Sequence, residues 1–170
     1  MKTKDVTYMA LFTALIAIGS KIQIPLDFIG MHFTLQWLFV LLCALLLNRK
    51  HACLTLMTYL CLGLSGAPVF ASGGGIGYLL KPTFGFLFGF LVAVYVMNSI
   101  QTTTIKKTIA GLLSYYFCGF FYYCFMMYIF YQQPIGIIMA FINCFLTIFP
   151  DFLLCLFSCE IYKRLNKFIY

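Results

Sequence analysis

Very few side chains in this sequence could recognise a polar molecule, and Asp151 is the most informative of them. It follows Pro150 within an apolar run, where an ionisable group is costly and therefore indicates a function. Its carboxylate can accept two N–H groups of an amide or a urea, and Gln36 can both donate to and accept from such a solute. Capping of a helix N-terminus is the alternative role for Asp151.

A second candidate is the stretch 66–90, which reads GAPVFASGGGIGYLLKPTFGFLFGF. Glycine permits positive φ and close approach of the backbone to a ligand, so Gly73, Gly74 and Gly75 could bring N–H groups onto a solute. Successive free N–H groups can also form a nest that binds an anion. Lys81 could pair with a carboxylate of the solute, or it could extend to the membrane surface.

The sequence carries none of the motifs that indicate catalysis or nucleotide binding. It lacks G-x-S-x-G, H-E-x-x-H and the P-loop pattern G-x-x-x-x-G-K-[ST]. Its eight cysteines form no C-x-x-C pair, so we expect free apolar thiols and no metal site. We predict that the protein is not an enzyme and needs no cofactor.

The composition requires that membrane helices position these residues. Apolar residues make up 64% of the 170 positions and charged residues only 9%, against about 45–50% and about 25% in soluble domains. The apolar runs are long and unbroken, which favours helices over barrel strands, because every backbone polar group in lipid needs an internal partner. We therefore predict an all-α integral membrane protein with a single domain over 1–170.

Six transmembrane helices are predicted from the apolar runs. The first five cover 6–22, 33–47, 52–64, 83–97 and 108–131, and the first is expected to act as an uncleaved signal. Residues 23–32, which include Asp27, are predicted to form a loop. Trp37 is expected to anchor at a membrane interface, and Pro82 is placed at the start of the fourth helix.

The last apolar region, 134–160, can be divided in two ways. An interior proline kinks a helix, so we place Pro150 at the first position of a sixth span over 150–167, with Asp151 in its first turn. Residues 134–148 then form a short segment against the outer leaflet. A single kinked span over the whole region is the alternative.

The distribution of basic residues predicts the orientation of the chain. Six spans place nine of the eleven Lys and Arg residues on one side, and only Lys21 and Lys81 on the other. Because basic residues accumulate on the cytoplasmic side, both termini are predicted to be cytoplasmic and stretch 66–90 to face outward. The net charge of +7 then reflects topology in a cell membrane, and no nucleic-acid partner is predicted.

Three segments resemble the BioY family, the biotin-specific S components of energy-coupling factor transporters. The stretch 66–90 resembles the family pattern G-L-P-V-F-x-x-G-x-x-G followed by P-T-x-G-[YF]-x-x-G-F. H-F-T-L-Q at 32–36 resembles V-P-[FI]-T-L-Q, and F-P-D at 149–151 resembles P-G-D. Together with A-x-x-x-A near residue 10, these segments occur in the order and spacing of the family.

The resemblance implies a six-helix subunit in membrane lipid that binds biotin from outside and docks onto a transmembrane coupling subunit and two ATPase subunits. Ala10 and Ala14 match the A-x-x-x-A motif of the first span, which is the implied contact with that module. Small residues four apart let helices approach closely, either within this chain or against a partner. The predicted substrate-binding residues are Gln36, Gly73, Gly74, Gly75, Tyr78, Lys81 and Asp151.

The sequence departs from the family pattern near its last motif. Where the family usually has a lysine three residues after the aspartate, this chain has Leu154, and Met31 and His32 replace the usual proline. Lys81 is then the candidate cation for a solute carboxylate. Two further hypotheses are an S component for another small vitamin-like acid and a membrane interaction subunit that transports nothing.

Overall fold

The computed structural model describes residues 2–26, 31–130, 132 and 136–169. Asp27, Tyr131 and Pro134, which belong to the predicted loop, fifth span and outer segment, lie outside the described residues. The described helices are α1 (Thr3–Lys21), α2 (Gln36–Leu46), α3 (Arg49–Leu64), α4 (Phe84–Ser99), α5 (Thr104–Phe125), α6 (Ile137–Phe145) and α7 (Ile148–Ile169). A 3₁₀ helix spans Ile76–Leu80, a π-helical turn Met126–Phe130, and two strands are β1 (Gln23–Leu26) and β2 (Met31–Thr34).

The connection after α1 contains an antiparallel strand pair rather than only the predicted loop. The register of β1 and β2 joins Gln23 to Thr34 and Ile24 to Phe33. Because the ladder continues to Thr34, α2 begins only at Gln36, and the predicted start of the second span at residue 33 is wrong. The strands bring Thr34 and Gln36 to the same end of the helices as the glycine-rich loop, residues 65–83.

Local contacts explain where several helices begin. The Asp5 carboxylate accepts the backbone N–H of Lys2 over 3.0 Å in the first turn of α1, and Asn48 Oδ1 accepts the N–H of His51 over 3.1 Å at the start of α3. α5 starts at Thr104, four residues before the predicted boundary. α4 starts at Phe84, two residues after Pro82, so the prediction that Pro82 stands at the start of this helix is wrong.

Two helices separated by a short turn occupy the last apolar region. α6 has 9 residues and ends at Phe145, and residues 146–147 form the turn before α7. Pro150 lies in the first turn of α7 rather than at its first position, and its missing N–H breaks no helical hydrogen bond there. Asp151 lies in the same turn, as predicted. The depth of α6 in the membrane stays a prediction.

By length and composition alone, two described segments could cross a membrane. They are Thr104–Phe130 and Ile138–Lys167, while Gln36–Leu46 and Phe84–Ser99 are shorter apolar helices. The helical character of the fold is confirmed for the described residues. The count of six spans and the orientation of the chain stay predictions.

The helices pack around α2, which contacts α1, α4 and α7, and the most extensive helix pair is α4 with α5. Gly85 and Gly89 allow this close approach, because a Cβ built on Gly85 would lie 2.2 Å from Tyr122 Cβ. The G-x-x-x-G motif on α4 therefore serves packing within the chain. All eight cysteines are free, as predicted.

Candidate solute-binding site

A cavity of about 460 Å³ lies between the glycine-rich loop and the ends of the helices. This volume is within the range of sites that bind small molecules. One side, here called the loop wall, consists of Ala71, Ser72, Tyr78 and Lys81. The other side, here called the helix wall, includes Gln36, Phe86, Phe90, Tyr115 and Thr147.

The loop wall carries a positive charge. Lys81 Nζ donates to Ser72 Oγ over 3.1 Å and lies 4.7 Å from the centre of the Tyr78 ring. The hydroxyl groups of Ser72 and Tyr78 are 3.2 Å apart. Among the described residues Lys81 forms no ion pair, so its charge is available to an anionic group of a solute.

The helix wall is built from stacked aromatic rings. Tyr115 stacks on Phe90 with ring centres 5.1 Å apart and an interplanar angle of 3°. Trp37 stacks on both of these rings, with its ring centre 4.6 Å from that of Tyr115 and 5.8 Å from that of Phe90. Trp37 is 1% exposed, so the prediction that it anchors at a membrane interface is wrong. Its ring supports the apolar face of the cavity instead.

Gln36 lines the cavity and is tied to the protein behind it. The side chain is 2% exposed, and Nε2 donates to the Tyr59 hydroxyl over 2.9 Å. The Tyr59 hydroxyl in turn donates to the carbonyl of Val69 in the loop over 3.0 Å. Gln36 therefore connects the helix wall to the glycine-rich loop through one buried residue, Tyr59.

Asp151 is buried behind the cavity and is not among the side chains that line it. The Tyr116 hydroxyl donates to its Oδ2 over 2.5 Å and lies 3.0 Å from Thr147 Oγ1. Because Tyr116 has one hydroxyl proton and gives it to Asp151, Thr147 donates to Tyr116 and keeps its lone pairs for other partners. Tyr116 thus connects Asp151 to Thr147, which lines the cavity. The direct solute contact that the sequence suggested for Asp151 stays a prediction.

The three predicted glycines shape the loop rather than line the cavity. Gly73 and Gly75 have φ values of +115° and +103°, which favour glycine. A Cβ on Gly74 would lie 2.0 Å from the Ala67 carbonyl oxygen. The N–H groups of Gly73 and Gly75 already donate to the carbonyls of Phe70 and Gly63, so the predicted anion nest of free N–H groups is wrong at these two positions.

The loop is fastened to α1 and α3 by contacts that the sequence did not reveal. Ser20 Oγ lies 2.6 Å from the Val69 carbonyl oxygen, and Lys21 Nζ donates to the Phe70 carbonyl over 2.7 Å. The Phe70 ring is fully buried and packs edge-on against Tyr59, with centres 5.5 Å apart. Gly63 leaves room for this ring, since a Cβ there would lie 2.0 Å from it.

The predicted docking residues lie away from the cavity. Ala10 and Ala14 are both exposed on α1, whereas Phe12 and Ile16 of the same helix are buried. This distribution does not support the alternative that the two alanines pack within the chain. The exposed surface of α1 carries these two small side chains together with larger apolar ones such as Leu11 and Ile18.

Comparison with known proteins shows which family the chain belongs to. The family model named BioY family matches residues 1–170. The chain belongs to the BioY family. Among curated relatives, it is 40% identical over 113 residues to the "Probable biotin transporter BioY" of Lysinibacillus sphaericus and 46% identical over 89 residues to the "Biotin transporter BioY" of Thermotoga maritima. It is 36% identical over 121 residues to the "Probable biotin transporter BioY" of Pyrococcus horikoshii.

These alignments cover different shares of the BioY relatives. The first two span 64% and 52% of this chain but only 57% and 52% of the relatives' own length, and the third spans 70% of this chain and 74% of the relative. A crystal structure described as the S-component for biotin from an ECF-type ABC transporter has a TM-score of 0.84 at 24% identity. The match covers 98% of this chain and 95% of that structure's chain, so the two chains share a fold.

Proposed function

We propose that this chain is the biotin-binding membrane subunit of a vitamin uptake system. The observation that carries the proposal is the polarity of the cavity, which has a cation at the loop wall and hydrogen-bond acceptors at the helix wall. Biotin has a carboxylate at one end and a cyclic urea with two N–H groups at the other. A cavity of about 460 Å³ lined by aromatic rings suits such a molecule.

The carboxylate of biotin is assigned to Lys81. This lysine is the one cationic side chain that lines the cavity in the described part of the chain. Leu154, which stands where the family usually has a lysine, is partly buried and packs against the core. The loop cation therefore replaces a helix cation in pairing with the solute.

The cyclic urea is assigned to the helix wall. Gln36 and Thr147 are polar side chains with an oxygen that can accept, and the stacked rings of Tyr115 and Phe90 lie beside them. Hydrogen bonds to buried acceptors discriminate strongly against solutes without the matching donors, because an unpaired buried acceptor costs about 1–3 kcal/mol. This arrangement favours biotin over a vitamin-like acid that lacks N–H groups.

The subunit is proposed to cross the cell membrane six times, with both termini in the cytoplasm and the cavity facing outward. Basic residues lie at the starts of α1, α3 and α5 and at the end of α7, which alternate crossings would place on one side. Ala10 and Ala14 are proposed to contact the transmembrane coupling subunit of an energising module with two ATPase subunits. Their exposure on α1 supports this contact.

Binding of labelled biotin to the detergent-purified chain tests the proposal. We expect a Kd in the nanomolar range, about −12 kcal/mol, and displacement by unlabelled biotin in preference to other small vitamin acids. A stronger competitor than biotin would assign the chain to another solute. Absence of binding, both alone and with the coupling and ATPase subunits, would support a subunit that transports nothing.

A further inference from the structure

Tyr59, a buried residue that does not line the cavity, determines which atom of Gln36 a solute meets. We propose that Tyr59 is a positioning residue that fixes the Gln36 amide with its oxygen, Oε1, towards the cavity. The inference rests on the proposed function, because it specifies how the urea of biotin would be recognised. It adds a residue from α3, a helix that contributes no side chain to the cavity wall.

The argument starts from the single proton of the Tyr59 hydroxyl. Tyr59 is fully buried, and its oxygen lies 3.0 Å from the Val69 carbonyl oxygen, which can only accept. The Tyr59 proton therefore goes to Val69. The Gln36 atom that lies 2.9 Å from the same hydroxyl must then be a donor, which is Nε2. The amide is planar, so Oε1 is turned away from Tyr59.

The opposite orientation of the amide is less favourable. If Oε1 faced Tyr59, the Tyr59 hydroxyl would donate its proton to Gln36. The oxygens of Tyr59 and Val69 would then face each other without a proton between them. Ser20 Oγ lies 2.6 Å from the Val69 carbonyl oxygen and 2.7 Å from the Ala17 carbonyl oxygen, and its single proton can serve either of them. Only with Nε2 towards Tyr59 does the Val69 carbonyl receive the Tyr59 proton, whichever carbonyl Ser20 serves.

This orientation predicts that the bound solute donates an N–H to Gln36. Among the described residues no donor occupies Oε1, so a solute without an N–H at this position would leave a buried acceptor unpaired. The amide cannot turn to offer Nε2 instead unless the Tyr59 hydroxyl stops donating to the Val69 carbonyl. Discrimination between N–H and oxygen in the ring of the solute is thus set by Tyr59.

The test compares biotin with its two cyclic carbamate analogues, in each of which one ring N–H is replaced by oxygen. Kd values come from competition against labelled biotin on the purified full-length chain. We expect the wild-type protein to bind one of the carbamates at least about tenfold more weakly than biotin. In Tyr59→Phe the amide is free to turn, and this ratio should fall to within about threefold.

Lys21→Met is the matched control, because it also removes a side-chain contact to the loop, at the Phe70 carbonyl, but leaves the contacts of Gln36 and Tyr59 in place. Its carbamate-to-biotin ratio should stay within about twofold of the wild-type value. A changed ratio in Lys21→Met would show that loosening the loop alone alters the discrimination, and it would overturn the inference even if Tyr59→Phe failed to fold. An unchanged ratio in Tyr59→Phe, or equal binding of all three solutes by the wild-type chain, would overturn it as well. Failure of biotin itself to bind the wild-type chain would instead overturn the proposed function, and the inference with it.

Discussion

The loop wall and the helix wall of the cavity hold their polar groups in different ways. The loop wall belongs to the glycine-rich loop, which is held by side chains of α1 and α3 that bind its carbonyl groups, such as Ser20 at Val69 and Lys21 at Phe70. The helix wall is held by stacked rings, with Tyr115 between Trp37 and Phe90. Both walls reach the buried core, the first through Phe70 and Tyr78 and the second through its stacked rings.

The two walls also differ in the chemistry that they offer. The loop wall presents a charged donor, Lys81, and the helix wall presents acceptors at Gln36 and Thr147 that tyrosines orient from behind. A solute with an anion at one end and N–H groups at the other can satisfy both walls in only one direction. This difference in chemistry predicts that mutations in the two walls change the affinity and the selectivity of binding in different ways.

The largest effect is expected when the loop wall loses its anchor. Phe70→Ala removes a fully buried ring between Tyr59 and Tyr78, and truncation of a buried Phe typically costs 3–5 kcal/mol. We expect biotin affinity to fall by more than about 100-fold, measured as Kd by competition. Phe88→Ala on the exposed surface of α4 is the control and should change Kd by less than about twofold. Equal effects of the two changes would show that the loop is not held by Phe70.

Loss of the loop charge should change selectivity as well as affinity. Lys81→Met removes the cation beside Ser72, and a hydrogen bond to a charged group contributes about 1.5–3 kcal/mol. We expect biotin to bind about 10- to 100-fold more weakly, while biotin amide, which has no carboxylate, binds as before. Lys21→Met should weaken both solutes equally, because Lys21 fastens the loop without lining the cavity. Equal losses for biotin and its amide in Lys81→Met would contradict the assignment.

Smaller effects are expected from the relay behind the helix wall. Tyr116→Phe removes the hydroxyl that joins Asp151 to Thr147, and the loss of one such bond predicts an affinity about five- to tenfold lower. Asp151→Asn keeps an oxygen that can accept from Tyr116, so Kd should change by less than about threefold. If Asp151→Asn is the more damaging of the two, the carboxylate acts on the solute directly and the relay is not its role.

The smallest effect on binding is expected far from both walls. Ala14→Leu enlarges an exposed side chain on α1 and should change the biotin Kd by less than about twofold. Uptake of labelled biotin by cells that also produce the coupling and ATPase subunits should nevertheless be strongly reduced, because the bulkier residue blocks close helix contact. Leu113→Phe, an enlargement on the exposed surface of α5, serves as the control for insertion. Normal uptake by Ala14→Leu would place the docking surface elsewhere.

Much of the fold could be predicted from the sequence because local signals mark it. Long apolar runs indicated the helices, and the division of the last region near Pro150 is visible as the turn between α6 and α7. The glycines at 73 and 75 indicated a loop with positive φ, which is what their backbone adopts. These features depend on residues close together in the chain, so composition and spacing are enough to predict them.

The network behind the site could not be predicted in the same way. Tyr59 looks like any aromatic residue in an apolar span, and only the approach of α3 to the loop gives its hydroxyl two partners. Trp37 is near the start of a helix, where an interfacial position is common, yet packing of α2 against α4 and α5 buries it. Asp151 was correctly singled out as an acid in an apolar setting, but its partner on α5 comes from a different part of the chain.

A structure of the chain with biotin bound is the measurement that tests the central claim most directly. The account predicts a carboxylate oxygen of biotin within about 4 Å of Lys81 Nζ, with a urea N–H directed at Gln36 Oε1. A biotin molecule bound in the reverse direction, with its carboxylate at Thr147 and its urea beside Lys81, would contradict the assignment of donors to the loop wall and acceptors to the helix wall.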